Sequence, residues 1–367
     1  MRITLIEPIP LQIPLKVPFK TAKAEQLTAR IVLIKLHTDS GIIGIGECDP
    51  RPHITGETVD SVLAVVSTYL APALRGMELS EANDIRKVCE QMDQALVSNS
   101  SAKAGIDIAA YDALGKSKGV PVYALLGERR RKALVSCGFT DLGSKAKAEQ
   151  DARKCRELGC SNFKIKVGRE WSVDSERVDA VRSILGPDID LIIDPNQAWS
   201  VEQSITVLKE LKIRNIACEQ PIVWDDLVGL SSIAQAVDVP VIADEAVRSP
   251  FDACVVLRLK AADIVNIKHL KSGGLCRGLE IARILQQEGV QCMIGSTMET
   301  GISSAASVHL GIACSNLKYF DVAPPTDFIT EDIVKGIEWK GLSVEPSEHP
   351  GLGLELKEEL LSKYAIS

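Results

Sequence analysis

A ladder of charged residues at near-constant interval constrains this chain more than any other feature. Between Phe163 and Lys268, five short apolar runs each close on charge: Lys164-Ile165-Lys166, Asp194, Glu219, Asp244 and Lys268. From Lys166 onward the steps are 28, 25, 25 and 24 residues. One strand, one helix and two short loops use about that much chain in a parallel βα repeat. Each charge falls where a strand should finish. In a closed barrel such strand ends meet at one mouth, so the ladder predicts a ring of three carboxylates flanked by lysines.

The rest of the chain is read against that ladder. Strands are expected at 135–140, 162–167, 191–194, 216–219, 241–244, 264–268, 292–296 and 319–322, with helical periodicity between them. Eight such runs are the count of a (β/α)8 barrel. The slot after the last strand lacks a barrel-like helical pattern. The first part reads differently. Alternation at 3–13, 29–38 and 42–47 predicts antiparallel strands, with Asp39-Ser40-Gly41 as a turn. Residues 16–22, polar and broken by proline, and residues 48–56 read as loops. Helices are expected at 57–74, 79–97 and 98–118, the last capped by Ser98 to Ser101 and stopped by Gly119. The domains expected are an α+β unit at 1–125, the barrel at 126–325 and a C-terminal segment at 326–367 packing back on the first. An open doubly wound sheet is the competing architecture. It calls for a glycine-rich turn from strand to helix, whereas Gly41, Gly44 and Gly46 lie within a hairpin.

Composition narrows the function classes. A chain of 367 residues with net charge −7 is not a general nucleic-acid binder. No window approaches 18 uninterrupted apolar residues, so no membrane span is expected. Met1 to Leu5 reads as a strand and not as a secretory leader; a cytoplasmic protein is expected. The ten cysteines form no CxxC pair and mostly lie singly in or beside apolar runs, as reduced buried thiols do. The five histidines show no zinc-ligand spacing.

The ladder residues imply a chemistry. Asp194, Glu219 and Asp244 end successive strands, which lie about 4.7–4.9 Å apart, so their carboxylates can converge on one ion. Oxygen-only ligands favour Mg²⁺, with Mn²⁺ as a substitute. Lys164 and Lys166 are two apart and share a face. Phe163, Ile165 and Val167 then pack under helices while the lysines enter the lumen. Adjacent ammonium groups are expected to depress each other's pKa, which suits a general base. Lys268 lies beyond Asp244, across the ring from Lys166. A substrate carboxylate on the cation, with a lysine on each side of its alpha carbon, gives proton abstraction to an enolate that the cation stabilises. Proton return from the opposite lysine is racemisation or epimerisation; loss of a leaving group is dehydration; ring closure is cycloisomerisation. A barrel kept only for binding would have eroded at least one of these residues.

With these residues in view the chain resembles the enolase superfamily, muconate lactonizing enzyme subgroup. The motifs are Lys164-Ile165-Lys166, Asp194-Pro195-Asn196, Glu219-Gln220-Pro221, Asp244-Glu245, Asn266-Ile267-Lys268 before Ser272-Gly273-Gly274, and Gly295-Ser296-Thr297-Met298-Glu299. The resemblance implies a modified (β/α)7β barrel under an α+β capping domain. It implies magnesium on Asp194, Glu219 and Asp244, with Lys164, Lys166 and Lys268 as the acid/base positions, a pattern the superfamily is known for. It also implies that loops 16–28 and 48–58 read the substrate, here a small carboxylate, and that the protein is a homo-oligomer.

Lys16 to Ala22 and Ile54 to Thr58 are similar to the specificity loops of dipeptide epimerases. Those enzymes carry Asp-x-Asp after the eighth strand to grip a free ammonium group; here Asp321 is followed at the second position by Ala323. An amino-acid derivative is therefore an expected substrate beside a dipeptide. A hydroxylated amino acid for dehydration, or a muconate for cycloisomerisation, is the alternative. Asn196, Glu245, Glu299, Asp321, Thr21, Thr297 and Met298 are the remaining candidates for contact with the substrate or support of the site. Trp199 and Trp224 read as packing or rim residues, and the basic stretch at 23–30 as a solvated face able to meet a second carboxylate.

Overall fold

The computed structural model describes residues 1–20 and 25–366, with the backbone alone described at 19, 20 and 25. Thr21 lies outside the described residues.

The chain opens with a three-stranded antiparallel sheet of Ile3–Lys20, Glu25–Thr38 and Ile43–Cys48. The first strand does not yield to a loop at Lys16, as the prolines suggested. It runs on to Lys20, with a register shift between Pro14 and Phe19. This strand is at the sheet edge, and Pro8, Pro10 and Pro14 are an even number of residues apart. Their missing N–H groups therefore all belong to the side away from the second strand, where proline costs no bond of the sheet.

The helices Val59–Val65 and Ser100–Lys118 pack against this sheet, and Ala82–Ala95 packs on Ser100–Lys118. The first continues through a π-helical turn at Val66–Leu70 into Ala71–Leu74. Ser100–Lys118 ends at Gly119 in the left-handed region, as its sequence predicts. Its start is capped differently. Asn99 makes no side-chain cap, and the Glu57 carboxylate accepts from Ser101 N (2.8 Å) and Ala102 N (3.0 Å). The Ser100–Lys118 helix is buried along most of its length because the glycines of Ile43–Cys48 let it lie directly on that strand. A Cβ at Gly46 would stand 1.9 Å from the Gly105 carbonyl oxygen.

Eight parallel strands follow in unbroken sequence order: Gly138–Thr140, Asn162–Lys166, Asp190–Asp194, Ile216–Glu219, Val241–Ala243, Ile264–Ile267, Gln291–Gly295 and Leu317–Asp321. They are the first to eighth barrel strands below. The Cys137 N–H donates to the Phe320 carbonyl (2.7 Å), bringing the last strand back to the first. The fold is thus a nearly closed α/β barrel with an N-terminal α+β domain. Helices cover seven strands, and the eighth is followed by the four-residue helix Pro325–Phe328. The chain then returns to the first sheet: Thr330 N bonds Pro14 O (3.0 Å) and Ile366 N bonds Pro10 O (3.1 Å).

Two apolar layers hold the barrel. Phe163, Ile165 and Val167 lie outward in the continuous core under the helices. Cys137, Ile192, Ala217, Ile242, Ile264, Met293 and Tyr319 form a separate plug in the lumen. Lys164 is level with Ile192, and Lys166 with Asp194. The second strand thus puts one lysine into the plug layer and the next into the polar layer above it.

The cysteines depart from the expectation of uniformly reduced, buried thiols. Cys155 and Cys160 are joined in a disulfide, Cys254 is exposed and Cys276 is half-buried. Cys155 sits in the last turn of the helix Lys145–Glu157. Gly159, at positive φ, turns the chain back and brings the two Cα atoms to 5.5 Å. No helix among the described residues is long and apolar enough to cross a membrane.

Candidate active site

Every ladder residue arrives at the C-terminal mouth of the barrel, fixed by its place at a strand end. Asp194, Glu219 and Asp244 follow or close the third, fourth and fifth strands and are buried. Each is engaged by a lysine. Lys166 Nζ lies 2.6 Å from Asp194 Oδ2, Lys164 Nζ 2.5 Å from Glu219 Oε2, and Lys268 Nζ 2.6 Å from Asp244 Oδ2. In the strand order the second and sixth strands are four places apart in either direction around a ring of eight. Lys166 and Lys268 therefore face each other across the mouth.

The carboxylates are fixed from behind. Asn196, held at positive φ, donates its backbone N–H to Asp194 Oδ1 (2.8 Å) and its amide to Asp194 Oδ2 (3.3 Å). Asn266 donates to Glu219 Oε1 (2.7 Å). Gln220 Oε1 accepts from Asp244 N (2.9 Å) and Ala246 N (3.1 Å). Lys271 is wholly buried and donates to the carbonyls of Asp244 (2.5 Å), Val247 (2.7 Å) and Asn266 (2.8 Å), tying the fifth strand end to the sixth.

The electrostatics are those of a crowded, dry ring. Burial raises the Glu219 carboxyl to about 7 against the pull of Lys164, with Asp194 and Asp244 adding to the rise. Burial alone would raise Asp244 too, but Lys268 and Lys271 outweigh it and hold that carboxyl below its usual range. Burial would likewise lower Lys268, and Asp244 and Glu219 reverse the sign. Lys164 is raised for the same kind of reason, by Asp321 and Glu219. The expected depression of Lys164 is thus not what this arrangement produces, because its ammonium sits against the Glu219 and Asp321 carboxylates.

The donor set fits a hard divalent ion. Three carboxylates supply oxygen alone, and the buried atoms Glu219 Oε2 and Asp244 Oδ1 take no well-aligned hydrogen bond.

The mouth opens into a cleft of about 1090 Å³ of space continuous with solvent. Lys164, Lys166, Lys268, Asn196, Glu245, Thr297, Met298 and Asp321 all line it. Asp321 is committed to Lys164, at 2.5 Å. Thr297 donates its hydroxyl to Asp49. Glu245 has a buried oxygen without a hydrogen-bond partner, and burial with Asp244 nearby raises its carboxyl. Glu299 is apart from the cleft wall: it accepts from Thr297 N (3.4 Å) and Ser304 (3.4 Å), and burial raises it well above the carboxylate range. Trp199 is buried edge-on against Trp171, and Trp224 is half-exposed under the Arg248 guanidinium.

Several lining residues were not singled out in the sequence, although Gln26, Arg51, His53 and Ile54 fall in the stretches 16–28 and 48–58 expected to read the substrate. Gln26, Arg51, His53 and Ile54 come from the α+β domain, and Phe139 and Phe328 from the first strand and the segment after the eighth. Lys271 was equally hidden, since a lysine three residues past Lys268 reads as solvated until the helix His269–Ser272 turns it inward.

Two family models account for nearly the whole chain. The mandelate racemase / muconate lactonizing enzyme N-terminal domain matches residues 4–127, and the enolase C-terminal domain-like model matches residues 147–360. The L-Ala-D/L-Glu epimerase of Clostridium acetobutylicum is 33% identical over 348 residues, covering 94% of this chain and 96% of that one. The crystal structure of N-succinyl Arg/Lys racemase from Bacillus cereus is 31% identical, with a TM-score of 0.93 over 100% of this chain and 99% of that one. The dipeptide epimerase from Cytophaga hutchinsonii, complexed with Mg and the dipeptide D-Ala-L-Val, is 33% identical, with a TM-score of 0.92 over 99% and 98%.

Proposed function

Since the chain belongs to the mandelate racemase/muconate lactonizing enzyme family of the enolase superfamily, we propose that it is an isomerase: a magnesium-dependent epimerase or racemase. It acts at the carbon alpha to a carboxylate of a dipeptide or other amino-acid derivative. The observation that carries this reading is the opposition of Lys166 and Lys268 across the three carboxylates. One lysine removes the alpha proton from its face, and the other returns a proton from the opposite face, which inverts the centre. Either can start, so the reaction runs in both directions. Lys164, fixed between Glu219 and Asp321, supplies a stationary positive charge at the floor of the cleft. Asn196, Asn266 and Gln220 hold the carboxylates so that little reorganisation accompanies charge development. A divalent cation on Asp194, Glu219 and Asp244 would take up carboxylate charge that now engages the lysines, and would offset the charge growing on the substrate carboxylate.

The proposal extends to Mn²⁺ as a substitute and to a homo-oligomeric state, which metal replacement and sedimentation would test. Incubation with L-dipeptides and N-acyl amino acids in D₂O tests its centre. Deuterium is expected alpha to the carboxylate, with accumulation of the second stereoisomer and no change in mass beyond the label. Loss of water, or a change in ultraviolet absorbance, would instead assign a lyase or cycloisomerase.

A further inference from the structure

Arg51 is a cation that the proton-transfer chemistry does not use. It lies in the loop between the first sheet and the first helix, is 6% exposed, and forms part of the cleft wall with Gln26, Lys166, Lys268 and Met298. Its guanidinium is held on three sides. The Nε atom lies 2.7 Å from Asp49 Oδ1, Nη1 donates to Gln26 Oε1 (2.9 Å) and Nη2 donates to the Met298 carbonyl (2.8 Å). A guanidinium has five N–H groups. The two hydrogen bonds use one N–H on each terminal nitrogen and leave one on each, while Nε meets Asp49 as an ion pair without an aligned hydrogen bond. A pair of that kind suits a carboxylate gripped by two parallel bonds. The anchors also stop Arg51 from turning away into solvent, so its geometry is set before a ligand arrives.

The charges around it point to the same ligand. Asp49, its one ion-pair partner among the described residues, is also engaged by the Thr297 hydroxyl. The acids lining the cleft are Glu245 and Asp321, and Asp321 is tied to Lys164. Where a second acid could receive a free ammonium group the chain has Ala323, which also lines the cleft. Lys164, Lys166 and Lys268 are each engaged by a carboxylate of the ring, whereas both terminal nitrogens of Arg51 donate to neutral acceptors, Gln26 and the Met298 carbonyl.

We propose that Arg51, with Gln26 beside it, forms a second anion-binding subsite and that the preferred substrates are dicarboxylates. One carboxylate lies at the Asp194, Glu219 and Asp244 end, and the other on Arg51. The inference rests on the epimerase or racemase reading and adds its substrate class. The second carboxylate can sit on a side chain or on an N-acyl group, and the two sources are separable.

The test compares pairs that differ in charge and little in shape: L-Ala-L-Glu with L-Ala-L-Gln for the side chain, and N-succinyl with N-succinamoyl phenylalanine for the acyl group. In at least one pair the charged member should lead by about 30-fold or more in kcat/KM, mostly through KM. Arg51→Gln should bring that ratio below about 3-fold, and Arg51→Lys should restore part of it. A ratio measured on one preparation is unaffected by any loss of folded enzyme. Equal turnover of both members of both pairs overturns the inference while leaving the proton chemistry intact. So does a wild-type preference that survives Arg51→Gln. Calorimetric binding of N-acetylglutamate against N-acetylglutamine covers the remaining case. If no compound exchanges its alpha proton but an Arg51-dependent preference for the glutamate persists in binding, the epimerase reading fails and the subsite stands. If that preference is absent as well, both fail.

Discussion

If Lys166 and Lys268 each serve one face of the same carbon, as proposed, their loss should not be equivalent for the two stereoisomers. Lys166→Ala and Lys268→Ala are each expected to lower racemisation by about 10³-fold, within the usual range for a positioned acid or base. Each variant should still wash deuterium into the one isomer whose alpha proton faces the remaining lysine. Proton NMR of each pure isomer in D₂O reads this directly; equal exchange of both isomers in either variant would count against the two-sided arrangement. Lys271 makes a different prediction. It touches no cleft atom but unites three carbonyls across two strand ends, with burial pulling its pKa down against the Asp244 charge. Lys271→Met should cost about 3 kcal/mol, the scale for removing one side of a buried charged network, measured as a shift in the denaturant midpoint. At this scale the sequence was most legible where charge interrupted an apolar run, as at Asp194 and Lys268. It placed Arg51 within the stretch 48–58 expected to read the substrate but could not single it out, because its partners Gln26 and Met298 are far apart in the chain.

Between elements, the stabilising contacts lie where acids of the first domain cap helices of the barrel. Glu47 accepts from Thr300 N (3.1 Å) and Ser303 N (3.3 Å) at the start of the helix Gly301–Ala313. Asp107 accepts from Leu275 N (2.5 Å) at the start of Leu275–Gln287. None of these caps is local in sequence, which is why the helices could be read from periodicity while their seating could not. The opposite case is the contact of Gly46 with Gly105, where glycines already visible in the hairpin turn out to permit close approach of strand and helix. Gly46→Ala is expected to destabilise by about 2–3 kcal/mol or to shift the helix, which thermal unfolding and loss of soluble protein would report.

His309 adds a pH dependence at this level. Its Nδ1 accepts from Tyr123 N (3.2 Å) while Nε2 faces the Leu352 carbonyl (3.3 Å), so the neutral ring is the one that fits, and burial lowers its pKa to about 4. Below its ordinary value of 6.5 the unfolded chain takes up a proton that the folded chain refuses. The stability this group contributes is therefore present above pH 6.5 and lost as pH falls toward 4, up to about 3 kcal/mol. Denaturant midpoints measured at pH 7, 6 and 5 should show wild type losing more stability on acidification than His309→Gln, by a slope difference of roughly one proton.

For the molecule as a whole, the ring of buried acids implies linkage between folding and the cation. At about one hundred times its dissociation constant a ligand adds about 2.7 kcal/mol, so Mg²⁺ should raise the melting temperature of chelator-treated protein by several degrees. Asp244→Asn should remove most of that response, and an unchanged melting temperature in wild type would mean that the ring does not take the ion. The barrel itself was legible because its period is long, regular and marked by charge at every step. The length of the first strand was not, because the polar, proline-broken run from Lys16 looks like a loop, and the strand continues through it only with a register shift. The disulfide was not legible either, since five residues of spacing become a bridge only after Gly159 turns the chain.

The hydrogen bond from Arg51 to the Met298 carbonyl spans 247 positions of sequence and joins the two halves of the cleft. In protein engineering, that makes the enzyme a two-part cassette with a coupled joint. A transplanted N-terminal sheet would carry its own preference onto an unchanged proton-transfer floor, but only if the recipient's seventh-strand loop presents a carbonyl at the same place. Chimeras made at the domain boundary alone should therefore lose selectivity before they lose turnover, and co-transfer of residues 296–299 should recover it.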